Sequence, residues 1–598
     1  MAWETSAQDN ASSQQTPGGG GAASVSTINL GTAADTWRFD SVLTEELSHD
    51  LLSDGLLGIA RMARRRLLRP SGTFYPRKAI AYAALASVRT TTVCGFDMRQ
   101  WNVFRSTDAP VYDMEEVLLN EPGCGQLLSD PIPLFALDLN HPPPPGAAPE
   151  APEVLIVTAA ETGIFNCIVT WFDLDFGSAG GMVSFAPNAN DPKHMYFRAM
   201  KNRIRFMGYE RRLAQGESLQ LTLVRSEATY EVHAPPGDLM TSDTLVPWPV
   251  APLLSYHFPM IMEEPRNRRY ESSLLRAIRA YKETHNGRGP HVLDIGSGTG
   301  LLAMMAARGG ARKVTSVEMV PTIATVARQI VERNGYSDVV TIINTRSDEL
   351  SPYAMGGENN LADILVSELI DDHVIGDGVL YSIADARRRL LTPSAMIVPR
   401  SARMFLQPVS LRARGPPGIA LDELNIFRTD QVILTHPYHH TKPQRLHSSE
   451  YQLLGPPLKL FEFDWAGEAP GTLAKGRVTA PLPLPMNASG VLNGLLLYFT
   501  LQMDACDGMA APDDATAEYS SGFDNPETHW DMPIRFLPVE LNVRAGDVLH
   551  VTATHNLHDL YHLKVAGVQP RMVAHSVGHK NLIDSGAGEK LGVTLVMA

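Results

Sequence analysis

The chain is poor in cysteine, in positive charge and in long apolar runs, and each shortage excludes something. Its 598 residues include 4 cysteines. Cys94, Cys124, Cys167 and Cys506 are scattered, with no pair at metal-binding spacing and no disulfide-dense pattern. That points to a reducing compartment, cytoplasmic or nuclear. The net charge is −14, which argues against generic nucleic-acid binding and suits a basic partner or substrate; ordinary solubility explains the same number. No run reaches the roughly 20 apolar residues of a membrane-spanning helix, and Val491–Leu501 reads as a buried strand. The N-terminus is polar rather than charged-then-apolar. No membrane and no direct nucleic-acid contact are expected.

What is present begins with Pro290–Gly300, PHVLDIGSGTG. A short apolar run leads into Asp294. Gly296, Gly298 and Gly300 follow, and Leu301–Arg308 has helical character. Strand, glycine turn and helix in that order form a nucleotide-binding βα unit, because glycine lets the backbone turn sharply and approach a ligand. The next expected strand, Lys313–Val317, ends in Glu318, and a carboxylate there can accept from both hydroxyls of a ribose. The G-x-G-x-G spacing resembles S-adenosylmethionine-dependent methyltransferases rather than dehydrogenases, since Leu301 stands where a dehydrogenase pattern would keep its glycine one position later.

The second organising fact is an internal repeat. Asp40–Arg77 aligns without a gap on Asp363–Arg400 at a constant offset of 323, and fifteen of the 38 positions are identical. Glu45 falls on Glu368, Asp54 on Asp377, Gly55 on Gly378, and Pro76-Arg77 on Pro399-Arg400. Asn102–Arg105 matches Asn425–Arg428, and Asn166–Phe172 resembles Asn493–Phe499. After each Pro-Arg pair the sequence alternates apolar and polar residues between Gly and Pro turns, the pattern of antiparallel β structure.

Five parts follow: a disordered leader over 1–35, a remnant of a first Rossmann-like domain over 36–90, a first β-barrel domain over 91–250, a complete Rossmann-like domain over 251–400, and a second β-barrel domain over 401–598. The fold class is α/β plus β: a Rossmann-like methyltransferase domain followed by an antiparallel β-barrel, duplicated with the first copy incomplete. Either the natural chain is longer at its N-terminus or the remnant packs against the second module; the first option is the stronger expectation.

With the paired acids beside the glycine motif, the sequence resembles the protein arginine methyltransferases, and most of all their tandem-module members. The resemblance covers nearly everything after residue 36. It implies S-adenosyl-L-methionine as cofactor, held by Arg266, Asp294, Gly296, Gly298, Gly300, Glu318 and Asp348. It implies Glu368, Asp377 and His529 as catalytic residues, and Glu368, Asp377 and Trp530 as substrate-binding ones, His529 and Trp530 belonging to a Thr528-His529-Trp530 loop. The implied partners are arginine-containing protein substrates, such as histones or Arg/Gly-rich proteins. It also implies an intramolecular pseudo-dimer of the two modules, with the segment around 411–460 as its arm.

Asp377 departs from the family's usual Glu. Its carboxylate is set back by about 1–1.5 Å, which changes how a guanidinium can sit. The chemistry suits the residues: a guanidinium offers five donors in a rigid fork, and two carboxylates can grip two of its edges. A rival expectation is a scaffold with this architecture that binds cofactor or partners without turnover. A small-molecule methyltransferase is a weaker rival, because it has no need of paired acids. His439, His440, His555 and His558 have no accompanying acid or cysteine cluster, so no metal is expected. Arg64–Arg66 and Arg387–Arg389 are expected to be salt-bridged surface.

Overall fold

A computed structural model describes residues 38–105, 125–147, 151–178, 180–187, 202–235, 257–357, 360–412, 439–441, 451–505, 517–558, 560–568 and 592–597. The leader over 1–35, Asn425–Arg428 and most of the expected arm segment lie outside the described residues. Among the described residues, no helix is long and apolar enough to cross a membrane.

Its centre is a five-stranded parallel sheet, ordered Val340–Asn344, Lys313–Glu318, His291–Ile295, Ala362–Ser367, Leu391–Val398. Continuous burial of His291–Ile295 explains the apolar run, since a parallel strand is covered on both faces. Helices Glu264–Thr284, Leu301–Arg308, Pro321–Arg333 and Val379–Arg389 supply the cover. The chain reverses direction across the sheet between His291–Ile295 and Ala362–Ser367, which pair in parallel. Such a switch point opens a crevice at the carboxyl ends of the strands. Gly296 and Glu368 lie at those two ends.

From Ser401 the chain turns antiparallel. Ser401–Leu411 pairs with Gly490–Gln502, which pairs with Met532–Val543, and a second sheet holds Val548–His555 and Leu560–Val568. Asn493 binds both backbone groups of Leu411, at 2.8 Å each. The corresponding Asn166 does the same to Val88, at 2.8 and 2.7 Å. The first β domain is built alike: Lys78–Ser87 pairs with Gly163–Asp175, which pairs with Arg203–Leu213. Its sheet therefore starts at Lys78, not at 91. The reason is local: the parallel strand Leu68–Tyr75 ends at Pro76, as Leu391–Val398 ends at Pro399.

Phe39–Leu43 and Leu68–Tyr75 form a two-stranded parallel pair by themselves. Phe39 and Leu43 are exposed, at 59% and 73%, so this strand does not pack against the second module. Leu51 and Val374, at matching positions, both have positive φ (70° and 75°), as do Gly55 and Gly378 (82° and 79°). The loop backbone between strand and helix is thus the same in both places.

Arg64 and Arg387, also matched, are not surface ion pairs. Arg64 donates to the Asn140 and Gly72 carbonyls, and Arg387 to those of Trp465 and Glu468. Each fastens its helix to the β domain that follows.

The modules meet through residues 92–105. Phe96, Met98, Trp101 and Phe104 share one apolar core with the parallel-sheet domain. Phe96 packs edge-on to Tyr336 and beneath the Arg308 guanidinium, and Asp97 pairs with Arg333. Trp101 sits against Phe258. These contacts come from the first β domain.

Candidate active site

The crevice is built from three loops. The first is the glycine turn. The Gly296 and Ser297 amides both donate to the Val317 carbonyl at 3.0 Å, which locks the turn onto the next strand. Gly298 has φ +51°, and a Cβ built on it meets nothing within 4 Å; the loop therefore faces an open space. Asp294 is fully buried. Its Oδ2 accepts from the Ser316 hydroxyl at 2.7 Å, while its Oδ1 has no partner. Burial, reinforced by Glu318, pushes its carboxyl up to about 7. Glu318 caps the same loop, accepting from the Gly298 amide at 3.1 Å and the Val320 amide at 2.9 Å. Burial raises it too. Each carboxylate oxygen still has capacity for another donor.

The second loop, 368–377, carries the paired acids. Leu369 presses on the glycine turn: a Cβ on Gly296 would lie 2.9 Å from Leu369 Cδ2. The acid loop and the glycine loop are therefore in direct contact. Glu368 is buried, with its Oε2 3.7 Å from Arg266 Nη2 and its Oε1 without a partner. Burial pushes its carboxyl up to about 7; Arg266 opposes this, and Asp377 and Glu263 add to it. Arg266 lies over the Tyr270 ring at 5.8 Å, donates to the Met260 carbonyl and keeps Nε unpartnered. Asp377 is exposed, unlike Glu368. Displacement of water raises it to about 6, with Asp371 and Asp372 contributing. Asp371 ties the loop by accepting from the His373 and Gly376 amides.

The third loop is Thr528-His529-Trp530. His529 Nδ1 lies 2.5 Å from Glu263 Oε2, which also accepts from the His529 amide at 2.9 Å. Tyr519 donates to Glu263 Oε1 at 2.6 Å. Burial would raise Glu263, but His529 and Tyr519 outweigh it and hold the carboxyl below its ordinary value. Trp530 is buried; its indole N–H donates to the Ile370 carbonyl at 2.8 Å, and the Asp531 amide to Asp372 at 2.8 Å. Trp530 is thus the wall behind the acid loop rather than a surface for substrate.

Arg266, Asp294, the three glycines, Glu318, Glu368 and His529 thus stand on loops that touch one another, and Asp377 lies at the exposed end of the acid loop. Asp348 stands apart: its carboxylate pairs with Arg346 at 3.0 and 3.1 Å on the rim. Sequence reasoning missed Glu263 and Tyr519. Glu263 is buried and Glu264 exposed, yet the two adjacent acids read alike; the signal was Glu263's place at the helix N-terminus, before Pro265. Among the described residues no group of His, Cys, Asp and Glu could hold a metal.

A family model described as ribosomal protein L11 methyltransferase (PrmA) matches residues 274–396. An arginine N(omega)-methyltransferase of Streptomyces achromogenes subsp. streptozoticus is 32% identical over 343 residues, covering 56% of this chain and 86% of that protein. The chain belongs to the arginine N-methyltransferase family. Protein arginine N-methyltransferase 7 of Xenopus laevis is 30% identical over 310 residues, 50% of this chain and 44% of that one. The chain thus spans less than half the length of that animal relative. A solved structure, the Trypanosoma brucei PRMT1 enzyme-prozyme complex with AdoHcy, superposes with a TM-score of 0.39 at 23% identity over 50% of this chain and 86% of that one, too loosely to bear on the site.

The methyl donor of this arginine methyltransferase is S-adenosylmethionine, and the residues fit it. The open space before Gly298, the bare Asp294 Oδ1 and the unpartnered Arg266 Nε are buried or cradled polar groups that await a ligand. Arg266 suits a carboxylate, Glu318 suits hydroxyls, and the glycine turn suits close approach.

Proposed function

We propose that the second module methylates arginine side chains of proteins, with Glu368 and Asp377 as the guanidinium clamp. The observation that carries this is the contact of Leu369 with Gly296, which sets a buried, half-unpartnered Glu368 against the cofactor loop. Bound there, S-adenosylmethionine supplies a methyl carbon already activated by its positive sulfur. The chain does the rest by alignment. Glu368 and Asp377 accept guanidinium N–H groups and leave one nitrogen free to face the methyl. Glu368, raised to about 7, is suited to hold the proton that this nitrogen releases as the new N–C bond forms. Glu263 and His529 fix the third loop, and Arg266 holds the carboxylate end of the cofactor.

Three further statements belong to the same proposal. The chain is a duplication whose first copy keeps one strand pair, the acid-loop backbone and the β domain. Residues 92–105 are the arm of an intramolecular pseudo-dimer, supported by their shared core with the second module. The free thiols Cys94 and Cys167 suit cytoplasm or nucleus.

Glu368→Gln should abolish methyl incorporation into an Arg-Gly-rich peptide while calorimetry still detects S-adenosylmethionine binding. Unchanged turnover would sink the proposal. The scaffold alternative has no observation in its favour, and the relatives are named as arginine N-methyltransferases.

A further inference from the structure

Three buried side chains from three separate elements meet behind the acid loop. Glu263 precedes the helix Glu264–Thr284, Tyr519 lies on the strand Glu518–Ser520, and His529 belongs to the loop that follows that strand. The strand is anchored in the β domain, where Tyr519 stands opposite Leu501. The Tyr519 ring packs edge-on to Trp530 at 5.2 Å. Glu263 is near enough to Glu368 to help raise its carboxyl. Whatever fixes Glu263 therefore bears on the clamp.

The Tyr519 hydroxyl lies 2.6 Å from Glu263 Oε1 and 2.7 Å from Thr528 Oγ1. It has one proton to give, and the neighbours decide where it goes. Burial works against ionising Glu263, yet His529 and Tyr519 hold it below its ordinary value. A carboxylate only accepts, so Tyr519 donates to it. Burial and the Glu263 charge hold the phenol well above its ordinary value, so the hydroxyl keeps that proton. The Thr528 hydroxyl must then donate to the Tyr519 oxygen, while Thr528 Oγ1 accepts from the Trp530 amide at 3.2 Å. The other carboxylate oxygen, Oε2, faces His529 Nδ1 at 2.5 Å. That nitrogen must carry a proton, since the carboxylate has none to offer. Each oxygen thus has one side-chain donor. The terminal torsion of a glutamate is broad, so one donor alone would let the carboxylate swing. Two donors on different elements hold its plane.

We propose that Tyr519 is a positioning residue for methyl transfer: its hydroxyl fixes the plane of the Glu263 carboxylate and, through it, the His529 imidazole with the proton on Nδ1. The proposal rests on the protein-arginine reading above.

The test uses the full chain, an Arg-Gly-rich peptide and Tyr519→Phe, which keeps the ring against Trp530 and removes only the hydroxyl. kcat should fall about 10-fold, the worth of one hydrogen bond to a charged group. The peptide KM and the calorimetric affinity for S-adenosylmethionine should stay as in the wild type. Because Tyr519 acts through the carboxylate, the same change made on top of Glu263→Gln should cost much less. A second measurement needs no Tyr519 variant. Nuclear magnetic resonance of the wild type with isotope-labelled histidine should show His529 protonated at Nδ1, the signal being assigned by its loss in His529→Asn. In Tyr519→Phe that signal should broaden as the carboxylate is freed. Unchanged kcat, an equal loss on top of Glu263→Gln, or a wild-type His529 without a proton on Nδ1 would overturn the role of Tyr519 and leave methylation standing. A wild type that does not methylate the peptide would overturn the protein-arginine reading and this proposal with it.

Discussion

Glu368 shows how one residue's surroundings set its chemistry. In water its carboxyl would ionise near pH 4.5; burial carries it to about 7, and Asp294 moves likewise to about 7. The ionised form is the one that grips a cation, so kcat/KM should rise with pH along a limb centred near 7, since that parameter reports the free enzyme. The sign for stability is the opposite. A carboxyl whose folded value is raised stabilises the protein below its unfolded value and loses that contribution as pH climbs through the folded value. The unliganded chain should therefore melt at a higher temperature near pH 5 than near pH 8, and Glu368→Gln should flatten that slope. Melting curves with equal slopes in the two proteins would contradict the assignment. Glu263 behaves differently because it has partners. Removing it by Glu263→Ala leaves His529 and the Tyr519 hydroxyl facing a void in a buried site. The expected cost is about 3–5 kcal/mol, read as a lowered denaturant midpoint.

At the scale of elements, the acid loop depends on its neighbour. Its backbone is strained: Val374, β-branched and buried, sits at φ 75°, a conformation L-residues avoid. The indole of Trp530 and the amide of Asp531 hold that shape from behind. Trp530→Phe keeps most of the packing and removes one hydrogen bond, about 1 kcal/mol. It should raise KM for an arginine peptide several-fold and leave cofactor affinity alone; loss of cofactor affinity would place Trp530 elsewhere. This dependence also marks where sequence stops being legible. The glycine turn, Glu318 and the paired acids were readable because strand ends and glycine spacing are local signals, and Leu301–Arg308 formed where expected. The repeat was readable because it is a comparison of the chain with itself. Trp530's role was not, since a buried aromatic and a substrate-facing one have the same local sequence. Nor was the boundary at Lys78, where strand follows strand with only Pro76 and Arg77 between. Nor was the docking of Trp101, which depends on helices more than 150 residues later.

At the scale of the molecule, the two sets of paired acids have unequal surroundings. Glu368 lies beneath the helix Glu264–Thr284 and against the glycine turn. Glu45, its counterpart on the same loop backbone, is exposed, because the strand pair that carries it forms a sheet of two; Asp54 is exposed as Asp377 also is, so the two places differ at the first acid. Exposure leaves a carboxylate hydrated and without a wall to orient a guanidinium. Five parallel strands around Gly296 make a crevice; two do not. Titration of this chain with S-adenosylmethionine should therefore give one site, and Gly298→Arg should remove it. The added side chain would occupy the open space before the turn, at a φ of +51° that favours glycine. No protein atom lies within 4 Å of the new Cβ, so the variant should still fold, with a melting temperature lowered by the backbone strain of a non-glycine residue at that φ; a cooperative melting transition would verify that. A stoichiometry of two, or one site surviving Gly298→Arg, would mean that the exposed acid loop binds cofactor after all and that the modules are functionally equivalent.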